Sequence, residues 1–225
     1  MKIIELDSID STNEYCKRVG GGNLIVTSKR QTNGKGTKGR SFVSDEGGLY
    51  VSVMKSHKDF KTDMAFKIMV NACVAVCKTV EQFGLKPIIR WANDVLVNGR
   101  KICGTLIENT FSGSFITRSI VGMGINVNNI LPDELKPIAT SLSAELGKEL
   151  TVKAVRDVLI KNLHKNYTIE EYKSYINWFG KEVILKTAER ELSATAIDVD
   201  WDGGLICVIA GTMKKINSAE VSLKL

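Results

Sequence analysis

Hydrophobic and polar positions divide the chain into two stretches of different character. Residues 2–6 read as a first strand, and Asp10-Ser11-Thr12-Asn13-Glu14 carries a helix start, with Ser11 and Glu14 at capping-box spacing. Gly20-Gly21-Gly22 must end that helix early. Leu24-Ile25-Val26 predicts a strand and Gln31–Ser41 a glycine-rich loop; Leu49, Val51 and Val53 then alternate with Tyr50, Ser52 and Met54 at strand period. From Met64 to Phe83 apolar residues fall on nearly every side, between Asp63 and Gly84, which predicts a buried helix, most simply beneath a sheet. Ile88–Trp91 predicts a strand. Val95–Val97, Asn98-Gly99 and Lys101–Ile107 predict a hairpin, because Asn-Gly readily takes the positive φ angles of a type I′ turn. Phe115–Val121 adds a strand, and Thr151 opens a second helical pattern through Val155, Val158, Leu159 and Leu163.

After Gly180 the helical period disappears. Val183–Leu185, Ala194–Ile197, Leu205–Ile209 and Val221–Leu223 are short β-type runs, with Asp202-Gly203-Gly204 as a turn. The expected fold class is α+β: a mixed sheet packed on helices over residues 1–178, followed by a small all-β unit over 179–225.

Composition narrows the compartment more than the chemistry. Of 225 residues 44% are apolar, enough for a core without metal or disulfide support. No uninterrupted apolar stretch is longer than Ala72–Cys77, which falls far short of the ~20 residues that span a bilayer. The N-terminus lacks an apolar signal core, so a cytoplasmic protein with no membrane partner is expected. Five cysteines, Cys16, Cys73, Cys77, Cys103 and Cys207, are odd in number and scattered, which favours reduced thiols. Cys73 and Cys77 share a helix face but have no further metal ligands near them in sequence, so buried inert thiols are expected. A net charge of +6 suits nucleic acid, anionic nucleotides or an acidic protein alike.

Gly34-Lys35-Gly36-Thr37-Lys38-Gly39-Arg40-Ser41 is the densest chemical signal. Three glycines free the backbone to turn its N–H groups inward, and three cations supply charge, which suits phosphate or carboxylate binding. The stretch matches G-x-G-x-x-G and nearly matches a Walker A loop, yet the helix that both require is absent; a strand follows. Arg90-Trp91-Ala92-Asn93-Asp94 ends a strand, with Trp91 expected in the core. Lys101, followed by Ile102-Cys103-Gly104, lies around the hairpin, where a single lysine is ordinarily solvated. Gly122-Met123-Gly124-Ile125-Asn126 interrupts a strand with two glycines, predicting a bulge or a close backbone approach by a ligand.

Taken in order, the glycine-basic loop, Arg-Trp-x-Asn-Asp, Arg-Lys-x-x-Gly and Gly-x-Gly-Ile-Asn resemble the biotin protein ligase family from end to end, with Ser11-Thr12-Asn13 and Gln31 also in place. The resemblance implies a class II synthetase-like catalytic domain with an SH3-like C-terminal β-barrel. It implies the ligase-only type, without a DNA-binding domain and without a DNA partner. The implied reaction uses ATP and Mg2+ to form biotinyl-5′-AMP, then passes biotin to a lysine of a biotin carboxyl carrier protein; a homodimer is compatible with it. Lys101, Arg40 and Asp94 would be catalytic. Ser11, Thr12, Asn13, Gln31, Lys35, Gly36, Thr37, Lys101 and Gly104 would bind biotin. Gly34, Lys35, Arg40, Phe42, Asn93 and Asn126 would bind the nucleotide, Phe42 by stacking on adenine. The family loop usually reads Gly-Arg-Gly-Arg-x-Gly-Arg, and here Lys35 and Thr37 replace two arginines. Phe42 and Ala92 likewise stand where the family has tryptophan and proline. The rival readings are a lipoate or octanoate ligase of the same fold and a nucleic-acid-binding module built on the basic loop.

Overall fold

In the computed structural model, residues 1–187, 190–217 and 222–224 are described. The chain opens with β1 (Lys2–Ile9), α1 (Thr12–Val19) and β2 (Leu24–Gln31), β1 and β2 being parallel. Then follow β3 (Leu49–Lys61), α2 (Phe66–Gln82), β4 (Pro87–Arg90), β5 (Asp94–Val97), β6 (Arg100–Ser112) and β7 (Phe115–Ile125). These seven strands form one mixed sheet in the order β1-β2-β3-β7-β6-β5-β4. Helices α3 (Leu142–Leu146), α4 (Val152–Leu163) and α5 (Ile169–Ser174) come next. The remaining strands, β8 (Glu182–Lys186), β9 (Glu191–Val199), β10 (Leu205–Ile209), β11 (Thr212–Ile216) and β12 (Ser222–Lys224), form an antiparallel sheet in the order β11-β10-β9-β8-β12. The α+β class and the small β-type C-terminal unit are as expected. Val221 lies outside the described residues.

Both faces of the large sheet are covered, which explains the pattern along β3. Val51 and Val53 face the core that α2 builds with Val74, Cys77 and Val121. On the other face Met54 packs with Cys16 of α1, Leu24, Val26 and Ile120. The all-round apolar character of α2 follows from its place between the sheet, α4 and α5. All five cysteines are buried and free, and burial pushes the Cys16 thiol up to about 11 and Cys103 to about 12.

Asn98 and Gly99 take φ angles of 49° and 76°, as the hairpin required. The capping box at Ser11 does not form: Ser11 is the N-cap residue, but its side chain makes no cap bond, and Glu14 pairs with Lys17 and Lys35 instead. A reciprocal box forms at Thr168 and Glu171 on α5. Trp91 is buried just past the end of β4, and its indole N–H donates to the Gly203 carbonyl at 2.8 Å. Gly203 has φ +89° and the Phe66 ring lies where its Cβ would be, at 2.2 Å, so the turn before β10 must be glycine to dock there. That contact ties the C-terminal sheet to the Arg90–Asp94 segment.

Candidate active site

The register of the large sheet sets out the site. Tyr50, Gly124, Gly104 and Asp94 are direct partners across β3, β7, β6 and β5. The neighbouring row is Ser52, Gly122 and Leu106. Both rows lie on the face that α1 covers, just beyond the apolar patch around Met54 and Cys16. Glycine at 122 and 124 leaves room for other side chains: a Cβ at Gly122 would stand 2.4 Å from Asn13 Oδ1, and one at Gly124 2.5 Å from the Phe42 ring. The expected bulge is not there. Pairing runs unbroken from Gly122 to Gly124 on both sides, and the glycines serve close approach instead.

Above these rows lies a cavity of about 400 Å³, within the ~300–1,000 Å³ usual for small-ligand sites. Ser11, Thr12, Asn13 and Gln31 line one end; Arg90, Asn93, Asp94 and Lys101 line the other. Lys35, Gly36, Thr37, Arg40 and Phe42 form the loop side, and Gly104 and Asn126 complete the expected set. Gly34 is the exception. It packs beneath the loop, its Cβ position 2.3 Å from the Phe42 carbonyl oxygen, and does not reach the cavity.

At the first end the polar groups are fixed by one another. Gln31 Oε1 accepts from the Thr12 N–H at 2.8 Å, and Gln31 Nε2 donates to Ser44 Oγ at 2.9 Å. The Ser52 hydroxyl lies 2.7 Å from Thr12 Oγ1 and 2.6 Å from Asn13 Oδ1. Asn13 Nδ2 donates to Glu108 Oε2 at 2.8 Å. Each amide therefore has a settled orientation, with one N–H of Asn13 and of Gln31 left over by valence. Ser11, Thr12 and Asn13 are all buried, so these are costly groups to leave without partners.

At the other end charge is concentrated. Lys101 Nζ lies 2.7 Å from Asp94 Oδ1, and Arg90 donates to Asp94 Oδ2 at 2.7 Å. Burial opposes the Asp94 charge, but Lys101 and Arg90 outweigh it and hold its pKa below the ordinary carboxylate value. Lys101 is thus not a solvated hairpin lysine: its side chain is only 26% exposed, and its backbone pairs with Ile138 and Thr140. Asn93 Nδ2 donates to the Thr105 carbonyl at 2.9 Å, pinning the turn to β6. On the loop, Lys35 pairs with Glu14 at 2.6 Å, and the Arg40 guanidinium donates to the carbonyl and hydroxyl of Thr37 at 3.3 Å each. Hydrogen bonds from Lys35 and Lys17 keep Glu14 ionised below its usual pKa.

Three groups escaped sequence reasoning. Leu131, Leu135 and Ile138 wall the cavity from a segment with no regular period; Asn126, through its bond to the Thr140 carbonyl at 3.0 Å, braces that wall. Ser52 and Glu108 stand behind Asn13. The signal for Ser52 was present: a serine on a strand face otherwise occupied by Tyr50 and Met54. Arg90 belonged to a recognised motif, and its place against Asp94 appears only in three dimensions.

Two family profiles match the chain: the Biotin/lipoate A/B protein ligase family over residues 6–126 and the Biotin protein ligase C terminal domain over residues 179–224. The bifunctional ligase/repressor BirA of Bacillus subtilis is 30% identical over 98% of this chain and 74% of its own length. The biotin–[acetyl-CoA-carboxylase] ligase of Paracoccus denitrificans is 30% identical over 67% of this chain and 66% of its own. Among solved structures, the biotin protein ligase of Aquifex aeolicus in complex with biotin and ATP superposes with a TM-score of 0.84 at 29% identity, covering 99% of this chain and 98% of that one.

Proposed function

The chain belongs to the biotin/lipoate A/B protein ligase family, and we propose that its cavity holds biotin at the Ser11–Gln31 end and the nucleotide at the Lys101–Asp94 end. The activity is that of a biotin–[acetyl-CoA-carboxylase] ligase. A biotin carboxylate oxygen attacks the α-phosphorus of ATP, pyrophosphate leaves, and the acyl group of biotinyl-AMP passes to a carrier-protein lysine with release of AMP.

One observation carries the assignment of the two ends: a single cavity joins a set of locked neutral amides and hydroxyls to a cluster of cations. A ureido ring presents two N–H donors and a carbonyl acceptor, which match the remaining valences of Ser11, Thr12, Asn13 and Gln31. A dithiolane or an alkyl terminus would leave those groups stranded, at ~1–3 kcal/mol for each buried one. Bringing a carboxylate against a triphosphate sets anion against anion, and fixed positive charge must offset the repulsion. Lys101 supplies it from a settled position; Lys35 and Arg40 supply it from the loop. Asp94 holds Lys101 in place, and its lowered pKa makes it a positioning anion and a weak base. Phe42, over Gly124, offers the face for adenine.

Residues 1–178 carry this chemistry, and residues 179–225 form the appended unit. Among the described residues no cluster of three His, Cys, Asp or Glu side chains could cage a metal, and Asp94, the one carboxylate lining the cavity, is already engaged. Magnesium therefore belongs with the triphosphate as part of the substrate, and no step is assigned to it. Among the described residues no helix is long and apolar enough to cross a membrane; we place the enzyme in the cytosol with its carrier protein.

The test is ATP, labelled biotin and a biotin carrier domain, scored for label on protein, beside parallel reactions with lipoic and octanoic acids. Label from biotin alone is expected. Preferential transfer of lipoyl or octanoyl groups would overturn the assignment of the polar end.

A further inference from the structure

The polar end of the cavity holds its two amides by different means. Gln31 is settled by the backbone. The Phe42 carbonyl accepts from Ser44 Oγ at 2.8 Å, Ser44 Oγ accepts from Gln31 Nε2 at 2.9 Å, and Gln31 Oε1 is left to accept from the Thr12 N–H. A carbonyl cannot donate, so that chain runs one way only. The Asn13 side chain instead meets Ser52 at 2.6 Å and Glu108 at 2.8 Å. A hydroxyl gives or takes a hydrogen bond and would serve either orientation of the amide; a carboxylate only accepts. Glu108 therefore decides which way the Asn13 amide faces. Nδ2 turns to the carboxylate, and the Ser52 proton goes to Oδ1. Oδ1 lies towards the sheet, 2.4 Å from the Cβ position of Gly122 against 3.2 Å for Nδ2. What the amide has left to give is its second N–H.

We propose that Glu108 is a positioning residue for biotin, whose carboxylate keeps Asn13 a donor to the ureido oxygen. The inference rests on the biotin reading of this end of the cavity. Three features of the structure support it. First, Glu108 follows Gly104 and Leu106 on the cavity face of β6, paired with Ile120, yet stands behind Asn13 and outside the cavity lining. It acts through Asn13 and not on the ligand. Second, Asn13 is buried, so water cannot repair a reversed amide, whose oxygen would face the carboxylate. Third, the other Glu108 oxygen takes a hydrogen bond from Lys17 at 2.7 Å, and Lys17 also bonds Glu14 at 2.9 Å. The carboxylate thus serves two donors at once. A glutamine in its place would offer one oxygen to both.

That arithmetic supplies the test. In Glu108→Gln the Lys17 ammonium claims the remaining oxygen, the new amide nitrogen faces Asn13, and Asn13 turns over to meet it. Biotin should then bind about tenfold more weakly in the absence of ATP, the cost of one misdirected hydrogen bond. Pyrophosphate release at saturating biotin and ATP should stay within about twofold of the unaltered enzyme, because the carboxylate reacts at the far end of the cavity. The cyclic guanidine analogue of biotin carries a donor in place of the ureido oxygen, and its binding should weaken by no more than about twofold.

Two further variants separate positioning from packing. Lys17→Met leaves Glu108 to Asn13 and should bind biotin as the unaltered enzyme does. With Lys17→Met and Glu108→Gln together, the glutamine oxygen is free to turn to Asn13, and biotin affinity should return to within about threefold of normal. Mere loss of an ion pair predicts a double variant that binds no better than Glu108→Gln. Unchanged biotin affinity in Glu108→Gln, equal losses for biotin and the guanidine analogue, or no recovery in the double variant overturns the inference and leaves the ligase reading standing. An unaltered enzyme that does not bind biotin overturns both.

Discussion

Replacing Lys101 by methionine tests two roles of one side chain at once. The ammonium is assigned to the carboxylate–phosphate junction, and loss of one such preorganised charge typically costs ~10²–10³ in rate. It is also half of an ion pair with Asp94, whose side chain is 15% exposed against 26% for Lys101. Exposed pairs contribute ~0–1 kcal/mol, whereas breaking a fully buried one costs ~3–5 kcal/mol. Asp94 keeps Arg90 at 2.7 Å and the Asn93 amide at 3.3 Å after the change. The expected destabilisation is therefore ~1–2 kcal/mol, a fall in melting temperature of ~2–8 °C for a chain of this length. Asp94→Asn should lose part of the same energy, and the double variant should be less destabilised than the sum by ~1 kcal/mol, because both changes remove one interaction. Pyrophosphate release at saturating biotin and ATP measures the catalytic part, and thermal melts of the four proteins measure the pair. Near-normal release in Lys101→Met would remove Lys101 from the mechanism. Strictly additive stabilities would show that the Asp94 contact does no energetic work.

Asp94 also predicts an acid limb. Its folded pKa is depressed, so its contribution is present above the unfolded value of ~3.9 and is lost as pH falls through the lower folded value. The gap in melting temperature between the unaltered protein and Asp94→Asn should accordingly be constant from pH 7 to 5 and shrink below about pH 4. A gap independent of pH down to 3 would refute the pairing. Three glycines within residues 34–39 make a fixed loop entropically costly without contacts. Cleavage after Lys35 or Lys38 by a limiting protease should be suppressed by biotin plus ATP, and equal cleavage with and without them would count against ordering. Thr37→Arg should slow dissociation of preformed biotinyl-AMP by about tenfold, through a charge-assisted contact worth ~1.5 kcal/mol. Equal dissociation rates would show that this position does not govern retention.

Much of this was legible in the chain because local rules and the fold agreed. The Asn98-Gly99 turn, the buried α2 and the β-type tail each follow from period and turn chemistry alone. Of the residues that the ordered motifs nominated, all but Gly34 line the cavity, although no single motif compelled it. What stayed hidden was relational. Gly122 and Gly124 read as a bulge or a close approach by a ligand, because nothing local says that Asn13 and Phe42 must lie across them. Taken alone, a hairpin lysine is ordinarily solvated, and nothing local shows that Asp94, seven residues away in sequence, meets Lys101 across the β5–β6 pairing. The capping box at Ser11 failed for a related reason: Glu14 found Lys17 and Lys35, and Ser11 faces the cavity. Helices α3 and α5, five and six residues long, are too short to show a period.

The cations of the site fall into two kinds, and the difference orders the events of binding. Lys101 is held by a largely buried carboxylate that Arg90 also grips, and its backbone is locked between Ile138 and Thr140. Lys35 is held by Glu14, a half-exposed pair worth ~0–1 kcal/mol. Among the described residues the Arg40 guanidinium donates to Thr37, at 3.3 Å on each contact. An arriving anion can draw the loop cations from their partners at little cost, but it cannot so draw Lys101. Lys101 is therefore preset charge, needing no reorganisation when the carboxylate meets the phosphate, whereas Lys35 and Arg40 are recruited. The substitution of threonine for arginine at position 37 falls entirely on the recruited set. It leaves the preset charge that joins the two anions intact and weakens only what closes over them afterwards. The consequence is a specific division of labour. Changes at Lys101 and Asp94 should appear in the rate of adenylate formation, changes at Lys35 and Arg40 both in that rate and in how long the adenylate stays, and changes at position 37 chiefly in the latter.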